Sequence, residues 1–227
     1  MRLSSAVFSP SSSHGASYYR LGEPGPNIRH VWLCLHGYQQ SASDLVARLA
    51  TLATPETLLI LPEAPASAVP LRSAAPEKAE FPQWFRPHSL GPDLAHVRTY
   101  LDQLVSHILA ACPPGTPLSI LGYDHGATAA CVWLANNHFS YDRLLLYDAY
   151  FPPKISRRRL LADLPRSPVV VLTTTGEALA APTPDDGIVQ DLRQAGLPFR
   201  FRRVTNHSLS LAVLSASTTA DDLLAEG

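Results

Sequence analysis

Residues 117–126 read PLSILGYDHG, and this stretch decides the fold. An apolar run leads into Gly122, and the pattern Gly-x-Asp-x-Gly closes at Gly126, where a segment with helical period begins. This pattern predicts a sharp turn whose central residue, Asp124, is strained, because the two glycines let strand and helix approach closely. We therefore expect the Asp124 side chain at the edge of a sheet, above a helix N-terminus that favours negative charge.

Around this stretch, short apolar or β-rich runs alternate with segments of helical period. The predicted strands are 16–21, 30–35, 57–61, 117–123, 143–147, 167–173 and 198–204. The predicted helices are 41–52, 93–111, 126–136, 156–164, 185–195 and 208–225. Continuous apolar runs such as 31–35 are typical of strands that helices cover on both faces, and the alternation predicts a mostly parallel sheet.

The length favours a single α/β domain over residues 1–227, with a sheet of about seven strands flanked by helices. Residues 1–15 are rich in serine, and we expect them to be loosely ordered. Apolar residues spaced three and four apart in 94–108 predict one buried face of a long helix. Only one short helix fits between Asp148 and Ser167, so no cap domain is expected.

The composition excludes several classes of protein. Hydrophobic residues make up 46% of the 227 residues and charged residues 16%, which excludes a charged disordered chain. A net charge of −1 provides no electrostatic basis for binding nucleic acid. No apolar run approaches the ~18 residues of a membrane span, and the N-terminus lacks the apolar region of a signal peptide. We expect a cytoplasmic protein, and a homodimer stays open.

Residues that follow the predicted strands are the candidates for chemistry, because ligands bind beyond the carboxyl ends of parallel strands. Residues 36–38, which read HGY, follow the strand 30–35. Asp148 follows the predicted strand 143–147, and His207 follows the last predicted strand, 198–204, where a base could reach Asp124. No local spacing such as H-x-x-x-H accompanies these residues, so we expect no metal and no cofactor.

Three segments make the chain resemble a known family. Residues 35–38 read LHGY, residues 61–65 read LPEAP and residues 121–126 read LGYDHG. In this order they resemble the oxyanion loop, the A-P-E-A-P segment and the L-G-F-S-Q-G elbow of the phospholipase/carboxylesterase family of α/β-hydrolases, which are small serine esterases without a lid. The resemblance implies the α/β-hydrolase fold and an oxyanion hole formed by the N–H groups of Tyr38 and His125.

The resemblance also implies a substrate pocket for a small molecule, such as an acyl ester. Trp84 and Phe85 are similar to the W-F/W-M segment that lines the pocket in that family. An aromatic pair in a proline-rich loop is as often a plug over the core, and both interpretations stay open. We place Glu177 in the same pocket.

The sequence departs from the family pattern at two positions of the catalytic triad. Asp124 stands where the family has its nucleophilic serine, and His125 replaces the glutamine that follows. Residues 176–179 read GEAL where the family pattern is roughly G-x-x-D. Two carboxylates are therefore candidates for orienting His207. One is Asp148, because some α/β-hydrolases take their acid from the end of the strand that Asp148 follows. The other is Glu177, which lies two residues from the family position.

An aspartate at the elbow changes the class of chemistry, because a carboxylate is already ionised and needs no base to activate it. One hypothesis is a protein that is impaired or inactive on esters and binds a small ligand, with Asp124 and His207 as a static ion pair. The other is an active hydrolase, similar to haloalkane dehalogenases and epoxide hydrolases of the same fold. In that hypothesis Asp124 is the nucleophile, His207 the base and Asp148 its orienting partner.

Overall fold

The computed structural model describes residues 3–8, 16–65, 83–86, 88–135, 139–175 and 185–205. Within these ranges, eight strands form one sheet in the order β1-β2-β4-β3-β5-β6-β7-β8. The strands are β1 Leu3–Phe8, β2 Ala16–Leu21, β3 His30–Leu35, β4 Thr57–Pro62, β5 Leu118–Tyr123, β6 Arg143–Tyr147, β7 Val169–Thr175 and β8 Phe199–Thr205. The pairs β1–β2 and β2–β4 are antiparallel and the other five are parallel, which confirms the predicted α/β class.

The first strand differs from expectation. Leu3–Phe8 pairs with Ala16–Leu21 in antiparallel register, with Leu3 opposite Leu21, although we expected residues 1–15 to be loosely ordered. The segment is short and its serines weaken the strand signal in the sequence. The edge of β2 supplies the hydrogen-bonding partners that local sequence alone could not reveal, and it raises the number of strands from about seven to eight.

Five α-helices lie between the strands in the described ranges. They are α1 Ala42–Leu49, α2 Leu90–Ala110, α3 His125–Leu134, α4 Arg157–Ala162 and α5 Asp185–Ala195. The predicted helix 41–52 continues as a 3₁₀ turn, Ala50–Leu52, after α1. The predicted helix 208–225 lies outside the described residues. None of the helices that the structure describes has the length and apolar character needed to cross a membrane.

Apolar residues of β3 divide between the two faces of the sheet. Val31 and Leu33 pack into a core that α2 and α3 cover, whereas Trp32 and Cys34 face a second core that α1 covers. Complete burial of a valine or leucine side chain contributes about 1.5–3 kcal/mol of transfer free energy to folding. The continuous apolar run in the sequence therefore serves both faces, as predicted. The buried stripe expected on the long helix is also found in α2.

The parallel strands place three chain segments side by side at one edge of the sheet. Leu35 at the end of β3 is paired with Gly122, and Tyr123 at the end of β5 is paired with Tyr147. The residues that leave these strands must therefore be neighbours, and they form the candidate site.

Candidate active site

The elbow between β5 and α3 is a tight, strained turn. Asp124 at its centre has φ 49° and ψ −114°, a conformation that costs about 1–3 kcal/mol. The N–H of Asp124 donates to the carbonyl of Tyr147 at 2.9 Å, and the Asp124 carbonyl accepts from the N–H groups of Ala127 at 3.0 Å and Tyr150 at 3.3 Å. These bonds hold the residue in place, and the predicted strain at the elbow is confirmed.

Close backbone contacts require the two glycines that flank Asp124. A Cβ on Gly126 would lie 2.3 Å from the carbonyl oxygen of Leu35 and 2.6 Å from that of His36. A Cβ on Gly122 would lie 2.5 Å from the Cα of Ala127. Both positions lack room for a side chain, because the first turn of α3 packs directly against the backbone of β3 and β5.

The oxyanion loop, residues 36–38, bonds to the carboxylate at the elbow. The backbone N–H of Tyr38 donates to Oδ2 of Asp124 with a distance of 2.8 Å between nitrogen and oxygen. A Cβ on Gly37 would lie 2.7 Å from the ring of Tyr123 and 3.1 Å from the Cβ of Asp124, so glycine permits this approach. The structure thus brings together Tyr38 and Asp124, two of the predicted site residues.

His36 is a structural residue of this loop. It is fully buried, its Nδ1 lies 3.0 Å from the carbonyl oxygen of Gly37, and its Nε2 accepts from the N–H of Ala64 at 3.1 Å. Nδ1 therefore carries the ring proton and donates it to the Gly37 carbonyl. Burial lowers the pKa of His36 to about 4. Because the Gly37 carbonyl and the Tyr38 N–H belong to one planar trans peptide and point in opposite directions, this bond also aims the N–H at Asp124.

Trp84 and Phe85 lie behind the loop. Trp84 is buried, and its indole Nε1 donates to the carbonyl of His36 at 2.8 Å, while the buried Phe85 ring contacts His125. Arg86 anchors this segment to α2 through an ion pair with Asp93, with 2.8 Å between Nη2 and Oδ1. Although burial alone would raise it, the hydrogen bonds from Arg86 hold the pKa of Asp93 below its ordinary value.

Four side chains form an aromatic cluster beside Asp124: Tyr38, Phe85, His125 and Tyr150. The ring of His125 is stacked on Phe85 and on Tyr150, with centroid distances of 5.0 and 4.7 Å, and it lies 4.8 Å from the tilted ring of Tyr38. Burial lowers the pKa of His125, and the Asp124 charge acts in the opposite direction. The imidazole is therefore neutral near pH 7 and does not compensate the charge of the carboxylate.

Tyr150 is a member of this cluster that the sequence did not assign to the site. Its N–H donates to the Asp124 carbonyl, and its own carbonyl accepts from the Thr128 hydroxyl on α3. These two bonds fix the segment after β6 against the elbow and place the Tyr150 ring on His125. The only local signal was the position of Tyr150 shortly after a strand end, which indicates an edge location but not a direction.

Asp148 lies at the end of β6, beside the elbow. It has φ 44°, and its carboxylate accepts from the Thr174 N–H at 2.7 Å and from the Thr174 hydroxyl at 2.6 Å. Because that hydroxyl proton is donated to Asp148, the Tyr147 hydroxyl, 3.1 Å away, donates to Thr174 Oγ1. Asp148 thereby ties the end of β6 to β7, and within the described ranges both of its carboxylate oxygens keep unused lone pairs.

Comparisons with known proteins agree with this geometry at the level of the fold. The sequence matches no protein-family model and no curated protein. Esterase PE8 superposes with a TM-score of 0.64 at 15% identity, over 87% of this chain and 94% of that one. The phospholipase/carboxylesterase of Dyadobacter fermentans gives 0.61 at 15% identity, over 91% and 97%. The chain has the α/β-hydrolase fold. The carboxylesterase of Bacillus cereus, with a TM-score of 0.61 and 15% identity over 89% and 91%, agrees.

The predicted resemblance is thus confirmed as a likeness of fold. In this α/β-hydrolase fold the described structure brings five of the predicted site residues together at one edge of the sheet: Tyr38, Phe85, Asp124, His125 and Asp148. His207 and Glu177 lie outside the described residues, so their roles stay predictions. Within the described ranges, no group of three or more His, Cys, Asp or Glu side chains is arranged to hold a metal ion.

Proposed function

We propose that this α/β-hydrolase-fold protein binds a small molecule and is impaired or inactive as an ester hydrolase. The observation that carries the proposal is the 2.8 Å hydrogen bond from the Tyr38 N–H to Oδ2 of Asp124. In a serine esterase, such an N–H stabilises the oxyanion that develops on the substrate. Here the carboxylate at the elbow already uses that donor, so the substrate oxygen has lost a partner.

The chemistry of the carboxylate supports the same conclusion. Attack of Asp124 on an ester carbonyl would form an anhydride, which is no more stable than the ester consumed. The histidine of a triad exists to remove a proton from a hydroxyl, and a carboxylate has none to remove. We propose that His207 therefore has no proton to remove at the elbow and that the sequence GEAL at 176–179 has lost the orienting acid.

Hydrolysis of short p-nitrophenyl esters tests this proposal. We expect only a background rate, unchanged by Asp124→Asn or His207→Ala, because neither residue drives acyl transfer. His88→Ala, which alters an exposed histidine, is the matched control for loss of an imidazole. A rate that His207→Ala abolishes while His88→Ala leaves it unchanged would show a working catalytic histidine and overturn the proposal.

The Asp124→Ser variant separates two kinds of loss. If the serine alone restores strong esterase activity, only the nucleophile has been lost, and Asp148 or Glu177 must still orient His207. If it restores none, the orienting acid has been lost as well.

A second candidate function has an observation of its own. In the described part of the chain, Oδ2 of Asp124 accepts the Tyr38 N–H, whereas Oδ1 has no hydrogen-bond partner. A carboxylate with one oxygen held by a backbone donor, and the other without a partner among the described residues, suits attack on a saturated carbon. Oδ1 would form a C–O bond as the carbon–halogen or epoxide C–O bond breaks, giving an ester of Asp124 together with a halide ion or with an alkoxide that takes a proton from water. Water activated through His207, with Asp148 as orienting partner, would then attack the carboxyl carbon and release an alcohol.

Turnover in H₂¹⁸O distinguishes this second function. Water attack on the ester intermediate leaves one oxygen from the solvent in the carboxylate, so mass spectrometry of the peptide containing Asp124 should show an increase of about 2 Da under this mechanism. A protein that dehalogenates or opens epoxides while Asp124 stays unlabelled would rule out the nucleophilic role.

A further inference from the structure

The candidate site carries negative charge that the described residues do not neutralise. Asp124 and Asp148 follow neighbouring strands and are both partly exposed. Among the described residues, the Asp124 carboxylate accepts one neutral backbone N–H, and the Asp148 carboxylate accepts only from Thr174. Neither carboxylate belongs to any of the ion pairs found among the described residues. A nearby cation, the exposed Arg48, lies over the Tyr123 ring, 5.9 Å from its centre.

Aromatic surface is exposed at the same place. Tyr38 and Tyr150 are the two exposed large hydrophobic side chains in the described ranges, at 47% and 43% exposure. Both contact the His125 ring, and their backbones bond to Asp124, from the Tyr38 N–H to the carboxylate and from the Tyr150 N–H to the carbonyl. Two exposed rings placed beside one carboxylate are a combination that attracts a specific class of ligand, because the face of an aromatic ring carries negative electrostatic potential.

We propose that the small molecule bound at this site is an organic cation, an alkylated ammonium group whose charge faces the Asp124 carboxylate and whose alkyl groups contact the Tyr38 and Tyr150 rings. The inference rests on the proposed function, binding without ester turnover, and names the ligand class. Charge complementarity selects this occupant over a neutral acyl ester. An ester presents oxygen lone pairs to a carboxylate that can only accept hydrogen bonds, whereas an ammonium group is attracted to both the carboxylate and the rings.

Choline and its neutral isostere 3,3-dimethylbutan-1-ol are matched probes, because they differ in charge and hardly in shape. We expect choline to shift the amide NMR signals of the wild-type protein with a Kd on the order of a millimolar, and the isostere to bind at least about tenfold more weakly. Raising the salt concentration should weaken choline binding, because the attraction is partly between charges at the surface.

Substitutions at the site should show how much of the choline affinity depends on the Asp124 charge and how much on the two tyrosine rings. Asp124→Asn keeps the shape and should weaken choline binding about tenfold or more, and Tyr150→Leu or Tyr38→Leu about two- to fivefold each. Asp142→Asn, which removes an exposed carboxylate beside Arg143, is the matched control and should leave the affinity unchanged. Circular dichroism would verify that each variant is folded.

Equal binding of choline and its isostere, unchanged affinity in Asp124→Asn, or no binding of choline at millimolar concentration would each overturn the cation proposal. The proposed function would survive those results if the ester assay still shows only a background rate. Conversely, a rate dependent on His207 together with choline binding lost in Asp124→Asn would remove the proposed function and leave a cation site on an active esterase.

Discussion

Replacement of Gly126 by alanine is expected to destabilise the protein by about 3 kcal/mol or more and to prevent much of it from folding. The added Cβ would lie 2.3 Å from the carbonyl oxygen of Leu35 and 2.6 Å from that of His36. Both atoms are backbone of or just beyond β3, a strand held on each side by β4 and β5, so they cannot move aside as the end of a flexible side chain would. Urea unfolding followed by circular dichroism measures the loss.

Gly91→Ala is the matched control for this substitution. Gly91 also lies in the first turn of a helix, α2, but a Cβ there would meet no atom within 4 Å. We expect this change to be neutral or to stabilise the protein by up to about 1 kcal/mol, because alanine favours helix. If Gly126→Ala unfolded at the same urea concentration as Gly91→Ala, the close approach of α3 to β3 would be wrong.

Acidification from pH 6.5 to pH 4 is expected to cost on the order of 3 kcal/mol of stability through His36 alone. Burial lowers the pKa of this histidine to about 4, against 6.5 for an unperturbed histidine. Between these values the unfolded chain binds a proton that the folded protein excludes, so the free energy of unfolding falls as the pH falls. Above pH 6.5 the contribution is fully present, and below about pH 4 no further loss arises from this group.

Glu63 changes stability in the opposite direction. Its Oε2 lies 3.6 Å from Nε2 of His36, and burial raises its pKa above the ordinary 4.5. Above that value the folded protein holds the proton of Glu63 more tightly than the unfolded chain does. The contribution of Glu63 to the free energy of unfolding therefore falls as the pH rises. Asp44 and Asp93, whose pKa values are lowered, lose their contributions only as the pH falls below 3.8.

Unfolding free energies at pH 7, 5.5 and 4 test the role of His36. His36→Asn should lower the stability at pH 7, because it removes a bond to the Gly37 carbonyl or the Ala64 N–H, and it should also remove most of the loss between pH 6.5 and 4. Glu63→Gln should instead steepen that loss, and His88→Ala, at an exposed position, should leave it unchanged. A wild-type slope that survives in His36→Asn would contradict the assignment.

Local patterns in the sequence were sufficient to predict most of the architecture. The bounds of β2, β3, β6 and α5 agree with the predicted segments, because apolar runs of strand length and helical spacing are properties of neighbouring residues. β1 was missed because its partner strand, and not its own sequence, stabilises it. The predicted turn at Asp124 is confirmed. It could be predicted because the spacing of Gly122 and Gly126 reflects a steric requirement of the turn itself.

The side-chain interactions of the candidate site could not be predicted in the same way. The resemblance implied that the Tyr38 N–H would serve an oxyanion, but not that Oδ2 of Asp124 would accept it. Trp84 appeared in the sequence either as a pocket residue or as a plug. The structure buries it and bonds its indole to the His36 carbonyl, which is a supporting contact for the loop.

From the sequence alone come the alternation of strands and helices, the strained elbow and the aspartate at its centre, since each depends on residues close together in the chain. Only the tertiary structure decided which groups meet there: the Tyr38 N–H on the Asp124 carboxylate, and rings from Phe85, His125 and Tyr150 in one cluster. These contacts join segments that are far apart in the chain, and their geometry is set to a fraction of an ångström by strand register and by loops whose course no local pattern encodes.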